Sequence, residues 1–104
     1  MQIERVDYTP KKDVYNPGEV LYVSLTFRDP FVGECEIGLA AKGGDLVRRT
    51  TCRQSTNRLY EGQVYIHDDQ VGPCLLQAAL TPVKGEPATV AAGDRIFQVR
   101  PVLP

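Results

Sequence analysis

The chain has 104 residues, 42% of them hydrophobic and 24% charged, with 12 Lys+Arg against 13 Asp+Glu and a formal net charge of −1. This length is one domain spanning 1–104; the composition excludes a disordered or collagen-like chain, and the balanced charge excludes a bulk polycation for nucleic acid. No apolar run approaches the roughly 18 residues of a membrane span, and the first ten residues lack the apolar segment of a secretory signal.

Helical periodicity with capping signals is absent, whereas period-two alternation recurs between Gly, Pro, Asn and Asp, which predicts short strands. The first expected strand covers residues 3–8 and is halted by Pro10. Asn16-Pro17-Gly18-Glu19 is a turn that launches the second, residues 20–28. There Leu21, Val23, Leu25 and Phe27 share one face, and Tyr22, Ser24, Thr26 and Arg28 share the other, the pattern of a half-buried antiparallel strand. Pro30 closes it, having no N–H to donate. The third strand is expected at 35–41, the fourth at 46–53 after Gly43-Gly44, and the fifth at 60–66. The sixth is expected at 74–80 and the seventh at 95–100. Seven alternating runs with turn signals between them predict an all-β, seven-stranded antiparallel β-sandwich.

Three short stretches then carry a resemblance. Residues 15–19, Tyr-Asn-Pro-Gly-Glu, look like the lead-in to the second strand of bacterial immunoglobulin-like and fibronectin III-like modules. Residues 68–76 are similar to the turn into the sixth strand of those modules, with Cys74 where a Tyr is usual, and residues 97–101 resemble their closing strand. The resemblance implies an immunoglobulin-like sandwich and spans most of the chain from residue 15 onward. Such a fold hosts many functions, so it does not by itself select one.

The three cysteines carry the sharpest local expectation. A two-residue Gly43-Gly44 turn, favourable where φ is positive, pairs Lys42 with Asp45 and sets Cys35 opposite Cys52. Counting outward places this pair on a non-hydrogen-bonded site, where Cα atoms approach to about 4.5 Å, within disulfide reach. In an oxidising compartment a Cys35–Cys52 disulfide would form and contribute about 3 kcal/mol through chain entropy. The competing reading is two free core thiols. Cys74 is read as a buried free thiol. The cysteines and the lone His67 lack the close Cys spacing of a zinc site, so no metal and no cofactor are expected.

No catalytic residues are expected. His67 has no nucleophile motif near it and reads as a turn residue. Asp68-Asp69 lack the spacing of a calcium loop and read as turn chemistry. Arg48, Arg49, Arg53 and Arg58 lie in a stretch, residues 46–60, without Asp or Glu. They form a candidate patch for an anionic partner, or an edge strand kept soluble by charge. The chain has no Trp on which a sugar could stack, Tyr22 and Tyr65 are the only tyrosines that parity turns outward, and cross-strand pairing of the two accounts for them; a carbohydrate partner is therefore not expected. Leu75, Gln77 and Ala79 on the sixth strand and Ile96 and Gln98 on the last share outward parity. They form a low-charge surface of the kind that marks a protein interface.

These features point to a non-catalytic protein-binding or structural module of a surface-exposed or extracellular assembly, with a protein partner or a second copy. A virion or other particle-decorating protein is an alternative reading, with the chain then in a virion or the cytoplasm, as is an accessory domain of an enzyme. Nucleic acid and membrane insertion are not expected.

Overall fold

A computed structural model describes residues 2–101. The described residues contain no helix and form nine strands: β1 (Ile3–Thr9), β2 (Val14–Tyr15), β3 (Val20–Phe27), β4 (Gly33–Ala41), β5 (Thr50–Thr51), β6 (Arg53–Gln54), β7 (Leu59–Tyr65), β8 (Gly72–Pro82) and β9 (Ala88–Val99). They build a four-stranded sheet in the order β1-β3-β7-β6 and a five-stranded sheet in the order β2-β9-β8-β4-β5. All pairings are antiparallel except β2 with β9.

The alternation read from the sequence decides which face of each sheet is apolar. Leu21, Val23, Leu25 and Phe27 of β3 are all buried, and so are Cys74, Leu76, Ala78 and Leu80 of β8. With Ile37, Leu39, Val64 and Phe97 they make one continuous core between the sheets. Aromatic groups close its two ends. Phe27, Phe31 and Tyr60 pack together with ring centroids 5.1–5.4 Å apart, and the Tyr60 hydroxyl donates to the Phe31 carbonyl at 2.6 Å. At the other end Phe97 packs against Tyr8 and Tyr15, whose hydroxyl donates to the Pro10 carbonyl at 2.7 Å. A buried Tyr needs such an acceptor, because an unpaired hydroxyl in an apolar core is costly.

The Asn16–Glu19 turn is held by its own side chains. The Glu19 carboxylate accepts from the Lys12 ammonium at 2.7 Å and from the Asn16 amide N–H at 2.8 Å. The Lys12 bond is the main reason the Glu19 carboxyl lies below its ordinary pKa.

Two expectations are corrected. The described residues form nine strands and not seven, because Val14–Tyr15 is an unexpected strand, β2, and residues 46–53 do not form one strand but contribute the two short strands β5 and β6. Residues 42–49 form a loop, and the chain pairs with β4 only at β5. It then crosses at Cys52 to pair with β7 through β6 in the other sheet, so the segment turns a corner between sheets. The turn at its start is also different: the Gly44 N–H donates to the Ala41 carbonyl at 2.7 Å, and Gly43 takes φ 81°. The last strand begins at Ala88 and not at Arg95, because β9 is interrupted. Register shifts from Leu75↔Ile96 to Gln77↔Ala91, leaving residues 92–95 opposite the single residue Leu76. That bulge breaks the alternation by which the first half of β9 would be read.

Candidate binding surfaces and the cysteine pair

The outer face of the five-stranded sheet contains the expected interface residues, and the structure divides them. Leu75 pairs with Ile96, Pro73 with Gln98, and Gln98 with Val14 of β2. Ile96 is 40% exposed, Val14 and Gln98 are exposed, and Leu75 and Gln77 are half-buried. Ala79 is corrected: it is only 6% exposed and packs in a small separate cluster with Ala40 and Leu46. The cover is the 42–49 loop, which lies on this outer face with Leu46 as its apolar anchor.

Gly38 is the reason the loop fits. A Cβ there would land inside van der Waals contact of the Arg48 carbonyl oxygen and 2.9 Å from the Leu46 methyl Cδ1. Residues Ile37, Gly38, Leu39 and Ala40 are therefore buried in succession, although a half-buried strand would alternate. The signal was in the sequence: a run of Ile-Gly-Leu-Ala-Ala without a polar residue reads as a strand covered on both faces. What remains open is a strip of Val14, Ile96, Leu75 and Pro73 at one end of the sheet.

The four arginines do not form one patch. Each has an acidic partner on another element: Arg48 with Asp69 at 2.8 Å, Arg49 with Glu36 at 3.8 Å, Arg53 with Glu61 at 3.7 Å and Arg58 with Glu4 at 3.6 Å. The stretch 46–60 lacks acids in sequence but acquires four from folding. Arg48 and Arg49 sit in the loop on the five-stranded sheet, while Arg53 belongs to the four-stranded sheet.

The hydrogen bond from Arg48 lowers the Asp69 pKa. Asp69 is thus engaged as an ion-pair partner, and among the described residues no three His, Cys, Asp or Glu side chains converge as metal ligands. His67 is half-buried in its turn, with its amide N–H donating to the Gln70 side-chain oxygen at 2.8 Å and its ring edge-on to Tyr65 at 4.7 Å.

The cysteine register is as the sequence implies. Glu36 pairs with Thr51 and Ile37 with Thr50, so Cys35 and Cys52 are opposite, and the Cys52 N–H donates to the Cys35 carbonyl at 2.8 Å. That bond marks the hydrogen-bonded kind of site, where Cα atoms stand about 5.5 Å apart, and not the closer kind expected. The expected Cys35–Cys52 disulfide is not formed: all three cysteines are free thiols. Cys35 is in the core, and Cys52 packs on it beside Gly62, where a Cβ would lie 3.1 Å from the Cys52 Sγ. The adjacent Cys52 thiol, and then burial, push the Cys35 thiol up, while the Cys35 thiol in turn lowers Cys52. Cys52 is therefore the first of the two to ionise. Cys74 is buried and burial raises its pKa.

The outer face of the four-stranded sheet carries a feature that parity alone did not reveal. Its strands hold a groove of about 620 Å³ bounded by β1 on one side and by β5 and β6 on the other. Register sets its floor in two rows, Thr9–Tyr22–Gln63 and Asp7–Ser24–Glu61–Arg53. The sequence showed Tyr22 turned outward; the bend of the chain at Cys52 that raises the far wall was not legible from it.

No helix among the described residues is long and apolar enough to cross a membrane. No family model matches the chain. It is similar to Calcium-dependent protein kinase 24 of Oryza sativa subsp. japonica, 32% identical over 89 residues, a match that takes in 64% of this chain and 17% of that protein; the chain thus spans less than a fifth of that relative's length.

Proposed function

We propose that the chain is an immunoglobulin-like sandwich acting as a non-catalytic protein-binding or structural module of a surface-exposed or extracellular assembly. The strand orders support the fold: β1-β3-β7-β6 follows the A-B-E-D sheet of such domains, and β9-β8-β4 follows G-F-C. The parallel β2 then extends the second sheet beside its last strand.

The observation that carries the binding reading is the Leu75–Ile96 strip. Leu75 and Ile96 are directly paired, Val14 and Pro73 adjoin them, and neither Leu75 nor Ile96 belongs to the Ala40–Leu46–Ala79 cluster by which the loop seals the rest of this face. Apolar side chains left contiguous on one sheet face mark a contact surface. A second copy supplies a matching strip about a two-fold axis, since such an interface is self-complementary. Burying Leu75 and Ile96 contributes roughly 1.5–3 kcal/mol each before association costs.

Sedimentation equilibrium tests this. The parent protein is expected to dimerise with rising concentration, and Leu75→Arg to remain monomeric with an unchanged far-UV spectrum. A parent that stays monomeric throughout, or a variant that dimerises as well as the parent, overturns the self-association reading.

A further inference from the structure

We propose that the groove on the outer face of the four-stranded sheet is a binding site for a neutral, linear oligosaccharide. The expectation against a carbohydrate partner rests on the absence of Trp and on Tyr22 pairing with Tyr65; the second ground does not hold. In the structure Tyr65 faces His67 instead. Tyr22 is 55% exposed on the groove floor, and no aromatic ring pairs with it among the described residues. An exposed aromatic ring in the middle of a concave surface offers an apolar face on which the C–H face of a pyranose can rest.

The polar groups around it fit the same chemistry. No hydrogen bond among the described residues engages the side chains of Tyr22, Ser24, Gln63 or Thr51, all of which line the groove. They supply hydroxyl and amide donors and acceptors spread over three strands, β3, β5 and β7, and a sugar presents the complementary hydroxyls.

Charge selects against an ionic ligand. The two carboxylates of the groove are already compensated, Asp7 by Arg5 at 3.0 Å and Glu61 by Arg53 at 3.7 Å. The lining holds two acids and one base, and Arg5 beside the groove balances the second acid, so the site gives little field to attract an anionic polymer or a basic peptide. The groove runs across a sheet face and not along a free edge, so it offers no backbone ladder to an extended peptide. An elongated neutral ligand with alternating apolar faces and hydroxyl edges matches what is left.

The test is a titration of the intact 104-residue chain, followed by two-dimensional amide NMR. The probes are linear hexasaccharides of glucose, mannose, xylose and N-acetylglucosamine. At least one is expected to give saturable shifts centred on Thr9, Tyr22, Ser24 and Gln63. Tyr22→Ala is expected to weaken binding at least tenfold, Gln63→Ala severalfold, and Tyr22→Phe little, since the ring face is kept. Both Tyr22 variants alter an outward side chain, so an unchanged spectrum elsewhere verifies that the fold persists. Absence of saturable shifts with all four probes overturns the proposal. So do shifts mapping outside the groove, equal binding by Tyr22→Ala, or tighter binding of a heparin hexasaccharide than of any neutral probe.

Discussion

Replacing Gly38 by Ala tests whether the 42–49 loop is part of the folded structure or lies on it loosely. The new methyl group would clash with the Arg48 carbonyl oxygen and meet Leu46 Cδ1 at 2.9 Å. The backbone of β4 cannot retreat, because β8 pairs with it from Gly33 to Ala41. The loop must lift instead, and Leu46, now 6% exposed, is lost from its seat on Ala40 and Ala79. Re-exposing one Leu costs roughly 1.5–3 kcal/mol. A domain of this kind is stable by about 5–15 kcal/mol, so the variant should stay folded. The main core does not contain Leu46, which limits the loss to this satellite cluster. Urea unfolding should show a lower midpoint at unchanged slope. Amide exchange should accelerate at residues 46–49 and remain slow in β3 and β8. Leu46→Ala should lower stability by about 2 kcal/mol, at the bottom of the range for buried Leu because the cluster is peripheral. Unchanged stability and unchanged loop exchange in Gly38→Ala would refute the packing argument; so would global unfolding, which would mean that the outer cluster supports the whole sandwich.

Three further outcomes follow from the same geometry. Glu19 is held below the ordinary carboxylate pKa in the folded chain, chiefly by the Lys12 hydrogen bond. Its contribution is therefore full at neutral pH and disappears as pH falls through its folded value; Glu19→Gln should cost about 1 kcal/mol at pH 7 and flatten the acid limb of a stability–pH curve. Thiol labelling at mildly alkaline pH should modify Cys52 first, with Cys35 and Cys74 following only on unfolding, as quantified by mass spectrometry of peptides. Because Arg48, Arg49, Arg53 and Arg58 each face an acid, the folded chain should pass through a heparin column at physiological salt without retention.

Legibility of the fold tracks how much of each strand's burial is one-sided. Residues 20–28 alternate cleanly because β3 is buried on one face only, and the expected and observed strands differ by a single residue, Arg28. The pairing of β4 with β5 was also readable, since the Gly43-Gly44 centre gives the same register despite a longer loop. The reading failed where tertiary context overrides alternation. Leu46 looks like one more strand residue, yet it anchors a loop on an outer face that Gly38 and Ala40 leave shallow. The first half of β9 was invisible because its bulge at 92–95 changes parity midway. The site residues divide by the same rule. Leu75 and Ile96 followed from parity, whereas the burial of Ala79 and the pairing of the arginines depend on segments distant in sequence.

Methyl-resolved NMR over a dilution series tests the binding reading most directly. The account predicts that the Leu75 and Ile96 methyl resonances shift with protein concentration while those of Leu46 do not, because the first two lie on the open half of one sheet face and the third seals the other half. Concentration-independent Leu75 and Ile96 methyls, or Leu46 methyls that move with them, would contradict it.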